Sequence, residues 1–422
     1  MESTARGNNP LYRHGFLRVS DDRRHLSHAD GTPFLWIGDT AWAGPHRASD
    51  ADWAAYLRDR VAKRFTLVQV GPAPDWAGPT DPAGNLPIEG GDARRPVPAF
   101  WQGWERKVRA ANEAGLAVLV SGLMEPVSRY PSAEHATVFA RWLAARLHGD
   151  MVVLSPSFDS PAMPLGDAVG AAVREATRAH LLTQHPGTPT GQPGQIWTEA
   201  YFDRDYLDFA GVQTGHNRGD REISARQAIE WNLRLYRREP RKPVVNLEAM
   251  YDTEGRGREG SFSGEEARSL GWLSMLSGAC GYTYGSDVWQ WRTDPAQPEY
   301  WRRAMGLASS SHMTHLRDFL ARIPWWRLAP SPERISGQPP AWSRRVAAAT
   351  TPDGRLMVAY FPAQARVTVD LRGMRLPLRI RWFDPRAGRF DPRTATVREA
   401  GDQSVEPPAP GDWALLIEGP RR

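Results

Sequence analysis

Between Phe34 and Gly285 the chain repeats one pattern eight times: a short apolar run, a polar or aromatic end, then a stretch long enough for a helix. The runs fall at 34–38 (FLWIG), 65–70 (FTLVQV), 116–121, 151–154, 181–184, 207–213, 243–247 and 281–285. Short apolar runs without strict alternation are how strands buried on both faces read. Between them, helical spacing of apolar residues predicts helices over 49–64, 99–114, 133–147, 165–179, 223–237 and 264–276, with a last one near 312–321. Strands alternating with helices give an α/β protein with a parallel sheet, and eight such units give a (β/α)8 TIM barrel. A doubly wound open sheet would want a glycine-rich phosphate loop after its first strand. Here FLWIG is followed by Asp39, Thr40, Ala41 and Trp42 instead.

The flanks read differently. Residues 1–33 contain two short arms around Asp21-Asp22, a β-hairpin extension expected to pack on the barrel, which spans 34–326. In 327–422 the segments VAAAT, LMVAYF, RVTVDL, LRIRWFD and WALLIEG are separated by Asp-Gly, Pro-Arg and Gly-Asp turns. That is the pattern of a small antiparallel β-sandwich, whose polar and apolar alternation predicts one buried face. A length of 422 residues suits one large domain and one small one.

Composition removes several function classes. No apolar run approaches the roughly 18 residues that a membrane span needs, so no membrane partner is expected. The net charge of +5 is spread among acidic residues without a basic stripe, which argues against a nucleic-acid partner. The single cysteine, Cys280, rules out disulfides and thiolate clusters within one chain and reads as an inert core thiol. The first residues, MESTARGNNPLYRHG, carry no signal-peptide pattern, which predicts a cytoplasmic protein unless a leader precedes them. Oligomeric state is left open.

In a barrel, residues at the C-terminal ends of strands line the active mouth. Those positions hold Asp39 and Trp42, Gln69, Met124 and Glu125, Asp159, His185, Gln213 and His216, Glu248 and Tyr251, and Tyr284 with Asp287, Trp289 and Trp291. They include no His and Asp at metal-ligand spacing, no nucleophile elbow and no strand-end lysine beyond Lys242, so neither metal nor cofactor is expected. Carboxylates, amides and indoles suit acid/base chemistry on a polyol, with carbohydrate as the partner. Glycoside hydrolysis needs two carboxyl groups, one to protonate the leaving oxygen and one to attack or to activate water. Glu248, ending the seventh run, fits the second role. Asp159, after the fourth run and across the mouth, fits the first, with Asp39 as competitor for either. Asp39, Trp42, Gln69, His185, Gln213, His216, Tyr251, Tyr284, Trp289 and Trp291 are the expected substrate contacts.

The stretches GFLRVSDDRRHLSHADGTPFLWIGDTAW, DFAGVQTGH, KPVVNLEAMYD and GYTYGSDVWQW, in that order, together with IRWFDPRAGRF and DWALLIEG near the end, make the chain resemble the apiosidase-like bacterial glycoside hydrolases, family 140 and its relatives. The resemblance implies a barrel followed by a β-sandwich, with an Asp after strand 4 and a Glu after strand 7 as the catalytic pair. These are Asp159 and Glu248 here. It further implies action on β-linked apiose of plant pectin or a related furanoside. The chain departs from the family where a Gly-Gly-Asp is usual: Ser155, Pro156, Ser157 and Phe158 precede Asp159. That departure motivates the alternative, a non-catalytic carbohydrate-binding barrel that has lost its acid. The primary expectation is an exo-acting, retaining hydrolase.

Overall fold

The structure is a computed structural model and describes residues 9–123, 132–159, 164–188, 195–215, 220–253, 262–292 and 300–420. A hairpin of β1 (Leu17–Val19) and β2 (Leu26–His28) opens the chain. Phe16, just ahead of it, sets its ring 5.7 Å from His180, at the N-terminal end of the barrel. Eight parallel strands follow: β3 (Trp36–Thr40), β4 (Leu67–Val70), β5 (Ala117–Ser121), β6 (Val152–Ser155), β7 (Leu181–Leu182), β8 (Ala210–Thr214), β9 (Val244–Ala249) and β10 (Gly281–Tyr284). Hydrogen-bonded neighbours run β7-β6-β5-β4-β3-β10-β9-β8, so the sheet curls until β7 and β8 face each other. Among the described residues, no ladder joins that pair. The seam is held by Asp208 N–H to the Leu182 carbonyl (2.9 Å) and by the Thr183 hydroxyl to the Phe209 carbonyl (3.0 Å). The fold is the expected eight-stranded α/β barrel.

Among the described residues, ten α-helices cover the sheet: α1 (Gly44–Arg47), α2 (Asp50–Ala62), α3 (Pro98–Glu113), α4 (Ala133–Arg146), α5 (Pro164–Ala176), α6 (Thr198–Tyr201), α7 (Arg221–Arg237), α8 (Gly264–Leu276), α9 (Tyr300–Met305) and α10 (Ala308–Leu320). Their starts are written in the sequence. Ser49, Ser132, Asp220 and Ser263 each accept a first-turn N–H with their side chains, and Ser263 with Glu266 completes a reciprocal capping box. Inside the barrel the Gln69 amide donates to the Leu247 carbonyl (2.8 Å) and to Thr283, and the Trp36 indole donates to the Thr283 hydroxyl (2.9 Å). Cys280 is buried, and burial pushes its thiol up to about 12, as suits an inert core group.

One irregularity matters for the chemistry. Along β8 and β9, Val212 pairs with Asn246, but the next residue, Gln213, pairs with Glu248, so Leu247 and Glu248 together oppose one step of the partner strand. Asn246 points to the helix layer, where its amide meets Ser274 of α8 (2.9 Å). By simple alternation Glu248 would point the same way. The bulge turns it toward the mouth.

From Ala329 onward the strands are antiparallel: β11 (Ala329–Pro330), β12 (Ile335–Ser336), β13 (Ala347–Thr350), β14 (Leu356–Phe361), β15 (Val367–Asp370), β16 (Leu378–Asp384), β17 (Arg389–Val397), β18 (Asp402–Val405) and β19 (Trp413–Glu418). They form a six-stranded sheet, β11-β13-β14-β19-β16-β17, facing a three-stranded one, β12-β15-β18. The expectation of one buried face fails at the centre. In β14, Met357, Ala359 and Phe361 fill the space between the sheets while Val358 and Tyr360 join the barrel's core, so both faces are covered. The Tyr360 ring stacks on Trp272 of α8 at 5.4 Å. Beside it Arg268 of α8 grips Asp412, ahead of β19, with two bonds of 2.8 Å, and Tyr360 adds a third of 2.8 Å. Burial, with the Arg268 guanidinium alongside, pushes His312 down to about 4, so its Nδ1 is free to accept from Arg268 at 2.8 Å.

Candidate active site

Asp159 and Glu248 meet at the C-terminal mouth of the barrel. One oxygen of each and one ring nitrogen of His185 all lie within 4.8 Å of one another. The Gln213 amide nitrogen bridges the two carboxylates, donating to Asp159 Oδ1 at 2.8 Å and to Glu248 Oε2 at 2.9 Å. Glu248 is 1% exposed, and its other oxygen accepts from the Tyr251 hydroxyl. Burial and the neighbouring carboxylate hold that hydroxyl well above its ordinary range, so Tyr251 stays a proton donor. The Trp42 indole in turn donates to Tyr251 (2.7 Å). His185 Nε2 lies 3.0 Å from Glu248 Oε2, and His185 Nδ1 lies 3.2 Å from the Ser121 hydroxyl.

The Ser-Pro-Ser-Phe run ahead of Asp159 is tightly fixed. Ser155 and Ser121 both donate to the Ser157 carbonyl (2.8 and 3.2 Å). Ser157 donates through its backbone (3.1 Å) and its hydroxyl to the Gln184 amide oxygen, and Gln184 reaches on to Tyr206 (2.8 Å). Phe158 turns its ring against Trp42 (4.5 Å) and His185 (5.1 Å). Asp159 itself sits in the left-handed region, φ 49°, which Asp tolerates better than most residues. Its carbonyl lies against Gly187, where an added Cβ would come within 2.9 Å of it.

Trp289 carries the site outward. Its ring lies 6.3 Å from Tyr251 and 5.0 Å from Trp76, which is 39% exposed. Both indoles line a cleft of about 750 Å³ with Arg47, Asp52, Asp81 and Arg292. Arg47 spends its guanidinium on the carbonyls of Ala77 (2.6 Å), Gln290 (2.8 Å) and Trp76 (3.1 Å), which ties the cleft wall together.

Four expected substrate contacts are elsewhere. Asp39 points outward to α2, fully buried, bonded to Arg60 Nε and Tyr56 (2.6 Å each). Burial pushes its carboxyl up while Arg60 and Tyr56 pull it back, and it is a structural ion pair rather than a sugar ligand. Tyr284 also faces outward, its hydroxyl 2.7 Å from Ser309 of α10. Trp291 stacks on Trp301 at 4.4 Å and packs against Trp53 and Tyr56 in the core. Gln69 is the cross-brace inside the barrel already described. Asp39 and Tyr284 were misjudged because a pleated strand sends alternate residues to the helix layer. Trp42 is 1% exposed and supports Tyr251 from behind. Asp287 is buried and accepts from the Tyr300 hydroxyl at 2.7 Å. His216, Met124 and Glu125 lie outside the described residues. Phe158, Trp76, Ser121 and Gln184 were not singled out from the sequence. Phe158 and Trp76 carried a signal, an aromatic residue in a loop following a strand.

A parallel barrel with a carboxylate pair at its C-terminal mouth has the architecture of the glycoside hydrolases. The chain belongs to the apiosidase-like family, whose catalytic domain it matches over residues 20–327. Residues 329–418 match a family described, provisionally, as the collagen-binding domain of a collagenase. Among solved structures, the chain is similar to a glycoside hydrolase (21% identity, 97% of this chain and 98% of that one, TM-score 0.84). It is similar also to a family 5 glycoside hydrolase from Bacteroides vulgatus (20%, 97% and 94%, TM-score 0.84). More distant is a family 27 β-L-arabinopyranosidase from Geobacillus stearothermophilus in complex with arabinose (12%, 92% and 97%, TM-score 0.54). These likenesses are of fold. No curated protein matches the chain. Fold and family together support a glycosidase role.

Proposed function

We propose that the protein is an exo-acting, retaining glycoside hydrolase that removes a terminal apiose-like or other furanosidic sugar from a plant-derived oligosaccharide or glycoside. The observation that carries this reading is the approach of Asp159 and Glu248 to within 4.8 Å, oxygen to oxygen, with one amide spanning both. Retaining enzymes hold their carboxyl groups about 5 to 5.5 Å apart, inverting ones about 6.5 to 9.5 Å, to leave room for a water. Glu248 is the nucleophile. Its oxygen attacks the anomeric carbon while Asp159 gives its proton to the departing glycosidic oxygen. Asp159 then takes a proton from the water that releases the sugar from Glu248. Buried Glu248, held by Tyr251 and Gln213, suits the fixed nucleophile; exposed Asp159 suits the group that exchanges protons with water and leaving group. Trp42 and Phe158 stand behind the pair, which favours a terminal sugar, and Trp289 with Trp76 offers the leaving group flat faces.

The test is turnover of a panel of aryl furanosides and pyranosides, with the anomer followed by NMR. Glu248→Gln is expected to lower kcat/KM by about a thousandfold or more, beyond what loss of ordinary binding contacts produces. Asp159→Ala is expected to keep more activity on an activated aryl leaving group, and added azide should give a glycosyl azide. An inert wild type across the panel would leave only the binding-barrel alternative, and inverted product would remove the nucleophile role from Glu248.

A further inference from the structure

Among the described residues, His185 Nε2 and Gln213 Oε1 are buried polar atoms at the mouth that lack a hydrogen-bond partner. Both belong to side chains almost wholly removed from solvent, at 0% and 2% exposure. Their cost is ordinarily avoided, so each one calls for a missing partner. The hydrogen-bond chain says which kind. The Ser121 hydroxyl has one proton, and its contacts with the Ser157 carbonyl (3.2 Å) and with His185 Nδ1 (3.2 Å) can both be hydrogen bonds only if it donates to the carbonyl. Its oxygen therefore accepts from His185 Nδ1–H at 3.2 Å. Nδ1 thus holds the ring proton, and Nε2 turns a lone pair toward Glu248 Oε2, 3.0 Å away. That contact is within ion-pair distance but is not a hydrogen bond, so Nε2 has no hydrogen-bond partner. A lone pair facing a carboxylate, with a second carboxylate within 4.8 Å, is an arrangement that a cation resolves.

We propose that His185 Nε2, Glu248, Asp159 and Gln213 form a binding site for one divalent first-row transition ion of borderline softness, such as Zn2+. Today the Gln213 amide nitrogen occupies the space between the carboxylates. Turning that amide over withdraws its N–H groups and brings the orphaned Oε1 to the same place, completing a set of one nitrogen and three oxygens. The imidazole ligand favours Zn2+ or Co2+ over Mg2+ or Ca2+, which prefer oxygen alone. Asp159 is exposed, which gives the ion an entry path, and Ser121 is the outer partner that fixes the ring, as metal-ligating histidines require. The sequence placed these four residues at strand ends of the mouth, but their spacing along the chain gave no sign that their donor atoms could reach one ion. With the ion bound, both carboxylates are neutralised and neither can act on a glycosidic bond, so the site is inhibitory. The binding claim itself does not rest on the glycosidase reading.

The experiment is titration of the untagged, chelator-treated chain with Co2+ alone, read by visible absorption, followed by displacement with Zn2+ and by calorimetry with Zn2+. Expected are d–d bands saturating at one equivalent and lost on adding Zn2+. The variants His185→Phe and Glu248→Gln, each checked for wild-type circular dichroism, should weaken Zn2+ by at least about tenfold. Absence of a one-to-one phase in the wild type, or variants that fold and bind Zn2+ as tightly as it does, would overturn the proposal. These readouts need no substrate, so they stand apart from any failure to find a hydrolysed glycoside. Should turnover be found, Zn2+ is expected to suppress it and a chelator to restore it.

Discussion

Tyr251 donates to Glu248 and receives from Trp42, so one hydroxyl ties the buried carboxylate to the wall behind it. Because burial keeps that hydroxyl protonated far above neutrality, its donor role does not change across the working pH range. A hydrogen bond to a charged group contributes about 1.5 to 3 kcal/mol. Tyr251→Phe should therefore cut kcat about tenfold to a hundredfold with little change in KM. A donor to a carboxylate favours its ionised form, so removing it should also move the acidic limb of the pH–rate profile upward. A purely structural loss would scale the whole profile without moving the limb, and a pH series on the variant decides between them. At this scale the sequence was a partial guide. It named Glu248, Asp159, Gln213, His185 and Tyr251 from their places at strand ends, and the structure gathers these five. It could not tell which strand-end side chains face the helices, so Asp39 and Tyr284 were placed in the mouth. Nor does spacing distinguish Trp291, clamped by Trp301, from Trp289, two residues earlier and open to the cleft.

At the scale of elements, the strand pattern was legible because eight apolar runs must each be buried on both faces, and the helices were legible from the helical spacing of their apolar residues. The bulge in β9 was not, since nothing in VVNLEA distinguishes a regular strand from one with an extra residue. Neither was the seam between β7 and β8, where only two residues of β7 form ladder bonds. Gly211 makes this seam possible. A Cβ there would lie 2.3 Å from both the Gln184 carbonyl oxygen and a Leu247 methyl. Backbone cannot yield as a side chain can, and overpacking of this kind costs about 1 to 3 kcal/mol or more. Gly211→Ala should lower the urea midpoint accordingly without changing the slope, and a wild-type midpoint would mean that the seam is looser than described.

For the whole molecule, the question is how the C-terminal sheets hold to the barrel. The turn-separated segments announced a sandwich, but alternation within one strand cannot reveal that its outer face is covered by another part of the chain, as β14 is by α8. The buried Arg268–Asp412 pair lies in that contact and carries bonds from Tyr360 and to His312. Removing one partner of a buried pair strands the other charge, at a cost of about 3 to 5 kcal/mol, whereas replacing both with apolar residues is often neutral. Asp412→Ala should thus lower thermal stability sharply, and Arg268→Met with Asp412→Leu should recover most of it. Equal losses in the single and double variants would contradict this account. The seam between β7 and β8 bears on the molecule in another way. It makes the barrel a split ring, with His185 just past one lip and Gln213 on the other, and Asp159 lying across the gap. Among the described residues, spreading or narrowing that gap disturbs the Asp208–Leu182 backbone bond and the side-chain bonds of Thr183 to Phe209 and of Leu182 N–H to Asp208, but no ladder. The aperture that meets the sugar can therefore be retuned by small changes at the lips while seven-eighths of the hoop stays as it is.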